Sequence, residues 1–407
     1  MIQMLTGRLQ RSGCTGIIFL CLCINVQAQK MPLIRIISDA EKQTRIMLGE
    51  LAAAKKTGDN PLLVSPRSLD KGTLKIVPAK DWTSGFFPGQ LWLLFALTNK
   101  EEWKTLAAEY TKNIESQQFD RTTHDLGFKI YCSVGMGYVL TKNEEYKSVI
   151  IQAATTLSKR FNANTGTIRS WDNMPKWKYP VIIDNMMNLE LLFEATRLSG
   201  DSSFYNIAVS HANATLKNHF RADNSSYHVV DYDSTNAGAI IKKTTHQGYA
   251  DESAWARGQA WGLYGFTMCY RETKDTRYLQ QAEKIAAYFL HHPNLPKDLV
   301  PYWDLAAPGI PNEPRDASAA AVIASALYEL SLYSNQGNYK KTAGKIMGNL
   351  TKHYRSPIGD NRGFLLIHST GNKPENREID APLSYADYYY LEAIIRGNKL
   401  KKGIPLF

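Results

Sequence analysis

Five stretches of this chain repeat one local pattern: a short polar turn, an aromatic residue, then an amphipathic helix. They read "TNKEEWKTLAAEYTKNI", "TKNEEYKSVIIQAATTLSKRF", "SGDSSFYNIAVSHANATLKNHF", "TKDTRYLQQAEKIAAYFLHH" and "SNQGNYKKTAGKIMGNLTKHY". Trp103, Phe204, Tyr278 and Tyr339 each have an alanine four residues later, and Tyr146 has Ile150 there. Residues four apart share a helix face, so each pair marks a packed stripe; Lys and Glu fill the opposite face. A more apolar helix precedes each stretch, at about 84–97, 126–141, 183–198, 253–271 and 316–333. A sixth apolar helix at about 383–396 closes the series and an amphipathic one at about 36–56 opens it.

Self-similarity at this spacing marks a repeated helical hairpin. The apolar helix of each hairpin belongs inside and its amphipathic partner outside. The expected fold is all-α, an (α/α)6 barrel of six inner and six outer helices, with an open solenoid of hairpins as the alternative. Short strands are expected in "TLKIVPAKDW" and within 225–249. No linker divides the chain, so residues 29–407 are read as a single catalytic domain. At 407 residues and 44% hydrophobic content the chain can bury a sizeable core.

Residues 1–28 read as a cleavable secretory signal: Arg8 and Arg11, the apolar run "TGIIFLCLCI", then small residues in "VQA". A lipoprotein is the rival reading, because Cys21 and Cys23 lie in that run, but each follows a leucine. The implied location is periplasmic or secreted. Three of the five cysteines would leave with the signal. Cys132 and Cys269 remain, in apolar helical surroundings, and read as buried free thiols. The formal net charge of +10 falls to +8 without the two signal arginines. A basic balance favours an acidic ligand. No Lys/Arg run suits nucleic acid, and no segment is long and apolar enough for a membrane span. The sequence is silent on oligomeric state.

Polar and aromatic residues cluster at the start of each inner helix: "DWTSGFFPGQLW", "HDLGF", "IDNMMN", "HQGYADESAWARGQAW", "EPRDASAAA" and "EIDAPLSYADYYY". In a closed barrel these starts meet at one end and build one pocket. Asp184, in "VIIDNMMNLELLFEA", is either a helix N-cap or a general acid whose apolar neighbours keep it protonated. Asn188, one turn on, is placed to orient it. Asp125 is either a cap or the second carboxylate of a glycosidase pair. Arg257 and Trp261, four apart, are either a packed pair or a cation and stacking plane for an acidic sugar. His246 and Gln247 are placed to bind hydroxyls or to bond within their loop. His124, His228 and His246 show no metal-ligand spacing, and no metal is expected. The absence of GxSxG, GxGxxG and Walker patterns argues against a serine nucleophile and nucleotide cofactors. No cofactor is expected.

With "WTSGFFPG", "HDLGF", "IDNMMNLELL", "HQGYADESAWARGQAW", "RDASAAA" and "DAPLSYADYYYLEA", the chain resembles the unsaturated glucuronyl hydrolases, glycoside hydrolase family 88, over about residues 36–396. The resemblance implies an (α/α)6 barrel acting on lyase-generated oligosaccharides that end in a 4,5-unsaturated uronic acid, most plausibly derived from glycosaminoglycans. It implies hydration of the C4=C5 vinyl ether. Asp184 would be the general acid/base and Asp125 its partner. Trp82, Trp171, His228, Gln247, Arg257 and Trp261 would line the sugar subsite. His124 and His246 fall within the same motifs, and Tyr385 and Tyr388 would complete the wall. In "IHSTGNKPENREID", Lys373 and Ser369 would contact a sulfate. The related unsaturated rhamnogalacturonyl hydrolases usually carry "RGNGW" where this chain has "RGQAW". A non-catalytic periplasmic glycan-binding protein on the same barrel is the alternative from another class, and two carboxylates argue against it.

Overall fold

The turns inside the repeats decide the architecture. The computed structural model describes residues 31–57, 62–172 and 174–407; the proposed signal, residues 1–28, lies outside them. Among the described residues, twelve α-helices alternate between two layers. The outer ones are α1 (Leu33–Thr57), α3 (Glu101–Lys112), α5 (Glu144–Ser158), α7 (Ser202–Asn218), α9 (Thr276–Leu290) and α11 (Tyr339–His353). The inner ones are α2 (Phe86–Thr98), α4 (Met136–Thr141), α6 (Leu189–Ser199), α8 (Ala256–Thr273), α10 (Ala317–Leu330) and α12 (Ser384–Lys402).

Four inner helices end in the same two-residue device. Asn99, Lys142, Gly200 and Lys274 adopt left-handed φ of 54°, 56°, 77° and 60°, and the next residue caps the following outer helix. The side chains of Asn143, Asp201 and Asp275 accept the free N–H two residues on. A left-handed residue stops one helix and a short acceptor starts the next, so the chain reverses tightly. The fifth repeat departs: α10 ends at Ser331 in right-handed geometry and Gly337 supplies the positive φ later. With these reversals at one end, the longer connections and all inner-helix N-termini fall at the other.

The ring closes because α12 packs on α2. Phe86 of α2 meets Tyr385, Tyr388 and Tyr389 of α12 at ring-centroid distances of 5.8, 5.5 and 6.0 Å. This rules out the open solenoid. Among the inner helices α10 is buried at every residue and α8 from Ala256 to Cys269, whereas the short α4 buries only Gly137. Outer helices bury one stripe, containing the aromatic and alanine of each repeat; Trp103 and Ala107 are both fully buried. Cys132 and Cys269 are free and buried.

Two inner helices begin irregularly. A π-helical segment, Gly127–Gly135, leads into α4, and a 3-10 segment, Ile183–Asn188, leads into α6. Their contact explains both. A Cβ on Gly127 would lie 2.5 Å from Asn188 Cα, and Phe128 N donates to Asn188 Oδ1 at 3.1 Å. Gly127→Ala is therefore expected to destabilise the fold by about 1–3 kcal/mol through overpacking, measurable as a lower denaturant midpoint with an unchanged slope.

The strands lie in the long connections. β1 (Leu63–Asp70) and β2 (Thr73–Pro78) form an antiparallel hairpin. Lys71 and Gly72 turn it at φ 49° and 80°, the two positive angles a two-residue hairpin requires. β3 (Phe161–Asn162) pairs with β4 (Thr167–Ile168). β5 (Pro180–Ile182), β6 (Val229–Asp233) and β7 (Ala239–Thr244) form an antiparallel sheet. Its register pairs Ile182 with Val229, and Ile183 N donates to His228 O at 3.1 Å. That register brings Asp184 beside His228.

Candidate active site

A cleft of about 370 Å³ opens at the end where the inner helices begin. Its floor is a circuit of aromatics, one from each of four inner-helix segments. Phe86, Phe128, Trp261 and Tyr389 follow one another at 5.5, 5.2 and 5.6 Å, and Tyr389 returns to Phe86 at 6.0 Å. Trp82 lies above them, 5.0 Å from Tyr385 and 5.5 Å from Phe128.

Asp184 sits in the first turn of the 3-10 segment, and its side chain makes no cap: the N-cap residue is Ile182. The capping reading is thereby excluded. Its Oδ2 is buried without a hydrogen-bond partner. Burial pushes its carboxyl up from 3.8 to about 7; the Arg257 charge opposes the rise and Asp125 adds to it. Asn188 does not hold it by a hydrogen bond: its Oδ1 accepts Phe128 N, and its buried Nδ2 has no partner. A perturbed carboxyl alone would not identify the acid. Asp387 is pushed to about 8 by burial, yet both its oxygens accept backbone N–H groups, from Leu365 and Leu366 at 2.8 and 2.9 Å. Toward the far end of the barrel, half-buried Glu190 and buried Glu329 are paired with Arg271, and Arg396 also holds Glu329. Among these acids Asp184 is the one that lines the cleft, and it keeps a buried oxygen without a hydrogen-bond partner.

His228 lies behind Asp184, with Nε2 3.6 Å from Oδ2. Its Nδ1 accepts two backbone N–H groups, from His246 and Gln247, both at 3.1 Å. Burial holds the ring's pKa well below the usual value, so the ring is neutral. A neutral ring with Nδ1 as acceptor carries its proton on Nε2. The loop thus fixes a donor pointing at Asp184.

Asp125 lines the cleft, its Oδ2 bonded to Thr123 Oγ at 2.5 Å and its Oδ1 3.2 Å from His124 Nε2. His124 is fully buried and kept neutral by that burial. Trp171 and His246 also line the cleft, 5.3 Å apart and edge to face. His246 faces Glu375 at 3.3 Å. Gln247 lines it too, donating to Gly371 O at 3.0 Å.

Arg257 borders the cleft but is largely engaged. Nη1 binds Asp316 at 2.7 Å and Thr370 O at 2.6 Å, and Nη2 binds Gly371 O at 2.6 Å. Its guanidinium lies over Trp255 and Tyr385, at 4.6 and 5.3 Å, rather than over Trp261. Trp261 is fully buried in the floor, not a stacking plane in the wall. The spacing of four put the two residues on one helix face; the loop carbonyls and Asp316 drew the guanidinium aside.

Unpartnered buried polar atoms concentrate here. Besides Asp184 Oδ2 they include His228 Nε2, Arg257 Nε, Trp261 Nε1, Tyr385 Oη and both nitrogens of His124. Buried polar groups without partners are costly, and four of these residues, His124, Asp184, Arg257 and Tyr385, line the one cleft, where a polar ligand would meet them.

Three expected contacts are displaced. Tyr388 borders a separate cavity of about 840 Å³ on the far side of the aromatic floor. Lys373 turns outward to Glu313 at 3.1 Å and lies 5.1 Å over Trp303. Ser369 is fully buried, and its Oγ accepts Ser318 N at 3.1 Å. Neither of the last two lines the cleft. Arg67, Asp172, Asn372, Arg377 and Glu378 do; none was named as a site residue, although Glu378 opens the expected "EIDAPLSYADYYY" cluster. The only signal for Arg67 was its closeness to a predicted strand; its bidentate bond to Glu378, at 2.6 and 3.0 Å, spans 311 positions of sequence.

Comparisons with known proteins agree with this geometry. An unsaturated glucuronyl hydrolase of Formosa agariphila is 53% identical over 327 residues, 80% of this chain and 82% of that one. An unsaturated chondroitin disaccharide hydrolase of Streptococcus pneumoniae is 33% identical over 80% of this chain and 83% of its own. The crystal structure of an unsaturated glucuronyl hydrolase specific for heparin superposes with a TM-score of 0.85 at 44% identity, covering 91% of this chain and 98% of that one. The profile described as Glycosyl Hydrolase Family 88 matches residues 66–399, and the chain belongs to that family.

Proposed function

We propose that this glycosidase releases a 4,5-unsaturated uronic acid from the non-reducing end of lyase-generated oligosaccharides, glycosaminoglycan fragments among them. The observation that carries the reading is Asp184: a buried carboxyl at about 7, its Oδ2 unpartnered, sharing a cleft with Asp125. Protonating a vinyl ether at C4 requires an acid still protonated near neutral pH. Water then adds at C5, its proton returning to the Asp184 carboxylate. The resulting hemiketal opens to a C5 ketone, and C1 expels the leaving sugar as it becomes an aldehyde. One water is consumed. Nε2–H of His228 stabilises the transient Asp184 carboxylate, and the Arg257 charge favours an acidic sugar. The relatives' named activities support the substrate class, and the N-terminal sequence supports a periplasmic or secreted location.

The test is incubation with lyase-generated unsaturated disaccharides while the vinyl-ether absorbance is followed. Steady loss with release of the second sugar is expected; no loss with any uronic disaccharide sinks the reading. The pH profile has a required sign. Asp184 is protonated below about 7 and ionised above it, so kcat/KM must fall as pH rises through that value. A rate that rises there would remove Asp184 from the acid role.

A further inference from the structure

Thr123 stands just before the His124–Asp125 pair and makes two bonds to one residue. Its Oγ lies 2.5 Å from Asp125 Oδ2 and accepts Asp125 N–H at 3.2 Å. A hydroxyl has one proton and two lone pairs. The N–H occupies a lone pair, which leaves the proton directed at the carboxylate. The segment is held from behind as well: Thr123 bridges Trp171, and His124 N donates to Ser170 O at 3.2 Å. We propose that Thr123 is a positioning residue, whose hydroxyl fixes the Asp125 side chain in one orientation beside Asp184 for the step that Asp184 carries out.

A hydroxyl that accepts the N–H of Asp125 and donates to the carboxyl of the same residue holds that side chain in one arrangement. The arrangement matters because Asp125 adds to the upward push on Asp184, and a Coulomb effect depends on where the oxygens stand. The charged and titratable groups facing this pair are His124 beside Asp125, His228 behind Asp184, Arg257 from α8, His246 across the cleft, and Asp172 with its partner Arg160. None of them replaces the hydroxyl at Asp125 Oδ2.

The proposal rests on the reaction assigned above and is tested with and without it. Thr123→Val keeps the shape and removes the hydroxyl; Thr123→Ser restores it. Thr123→Ala is the second variant, in case valine disturbs the bridge to Trp171. In turnover of the unsaturated disaccharide, the valine and alanine enzymes are expected to lose about tenfold in kcat with little change in KM. Serine restores the wild-type kcat. Independently of substrate, carbon NMR of aspartate-labelled free enzyme follows the Asp125 carboxyl, identified by its loss in Asp125→Asn. At one fixed pH its signal is displaced in the valine variant and stays at the wild-type position in serine. A signal unmoved in valine, or a serine enzyme as slow as valine, overturns the proposal. A wild-type enzyme without turnover sinks the assigned reaction instead, and the carboxyl signal still decides the role of Thr123.

Discussion

Asp184→Asn is expected to lower kcat by about 10³-fold or more while leaving the barrel folded. The amide preserves the shape of the carboxyl and cannot deliver a proton to carbon. Its effect on stability should run the other way. The unfolded carboxyl ionises near 3.8, whereas the native one holds its proton to about 7. Between those values the native state binds the extra proton, so wild-type stability falls as pH rises through that window and is level above it. Asparagine carries no such penalty. The variant should therefore be more stable than wild type near pH ~8, by a few kcal/mol at most, and the gap should close near pH ~4. Denaturant unfolding at the two pH values, alongside steady-state turnover, checks both halves. Retained activity would remove Asp184 from its role. A stability gap independent of pH would mean that its burial does not disfavour the charge.

The second large effect belongs to Asp316. Its carboxylate pairs with Arg257 Nη1 at 2.7 Å, with both side chains at most 1% exposed. It also caps α10 by accepting Ser318 N and Ala319 N at 3.1 and 3.3 Å. Asp316→Ala removes the cap and leaves a buried guanidinium without its counter-charge, a loss of about 3–5 kcal/mol. Asp316→Asn separates the two contributions, because its side-chain oxygen can still cap. It should be destabilised less, yet it should change the pH profile. With the Asp316 charge gone, the Arg257 charge acts on Asp184 unopposed, and that charge favours the ionised carboxyl. The alkaline limb of kcat/KM should move to lower pH. An unmoved limb in a folded Asp316→Asn enzyme would show that this ion pair serves the fold and not the acid.

The repeat was legible because its signals are local. A left-handed residue, a capping side chain and an aromatic four residues before an alanine act within a few positions. Most inner and outer helices therefore fall within a few residues of their expected places, whereas α4 and α6 begin about ten and six residues later than expected and α12 runs about six residues further. The irregular starts at Gly127–Gly135 and Ile183–Asn188 were not legible. They arise where Gly127 meets Asn188, and nothing within either segment records that approach.

The same boundary divides the site. Asp184, Asp125, Trp82, His246 and Gln247 follow from motif position, because every inner helix starts at the same end of the ring; Trp171 was expected only from the family resemblance. Arg67, Arg377 and Glu378 join the cleft only because the hairpin of β1 and β2 folds against residues some 300 positions away. Lys373 carries a suitable charge in a suitable loop, and the turn of that loop sends it to Glu313 instead. By itself the sequence determined the alternation of helices, the end at which the polar clusters gather and the acid expected to work there. Only the tertiary structure decided that the ring closes, that Arg257 is held by Asp316 and two carbonyls, and that His228 keeps its proton on the nitrogen facing Asp184. Periodicity and capping are properties of neighbouring residues, whereas ring closure, ion-pair choice and tautomer depend on groups that meet only after folding.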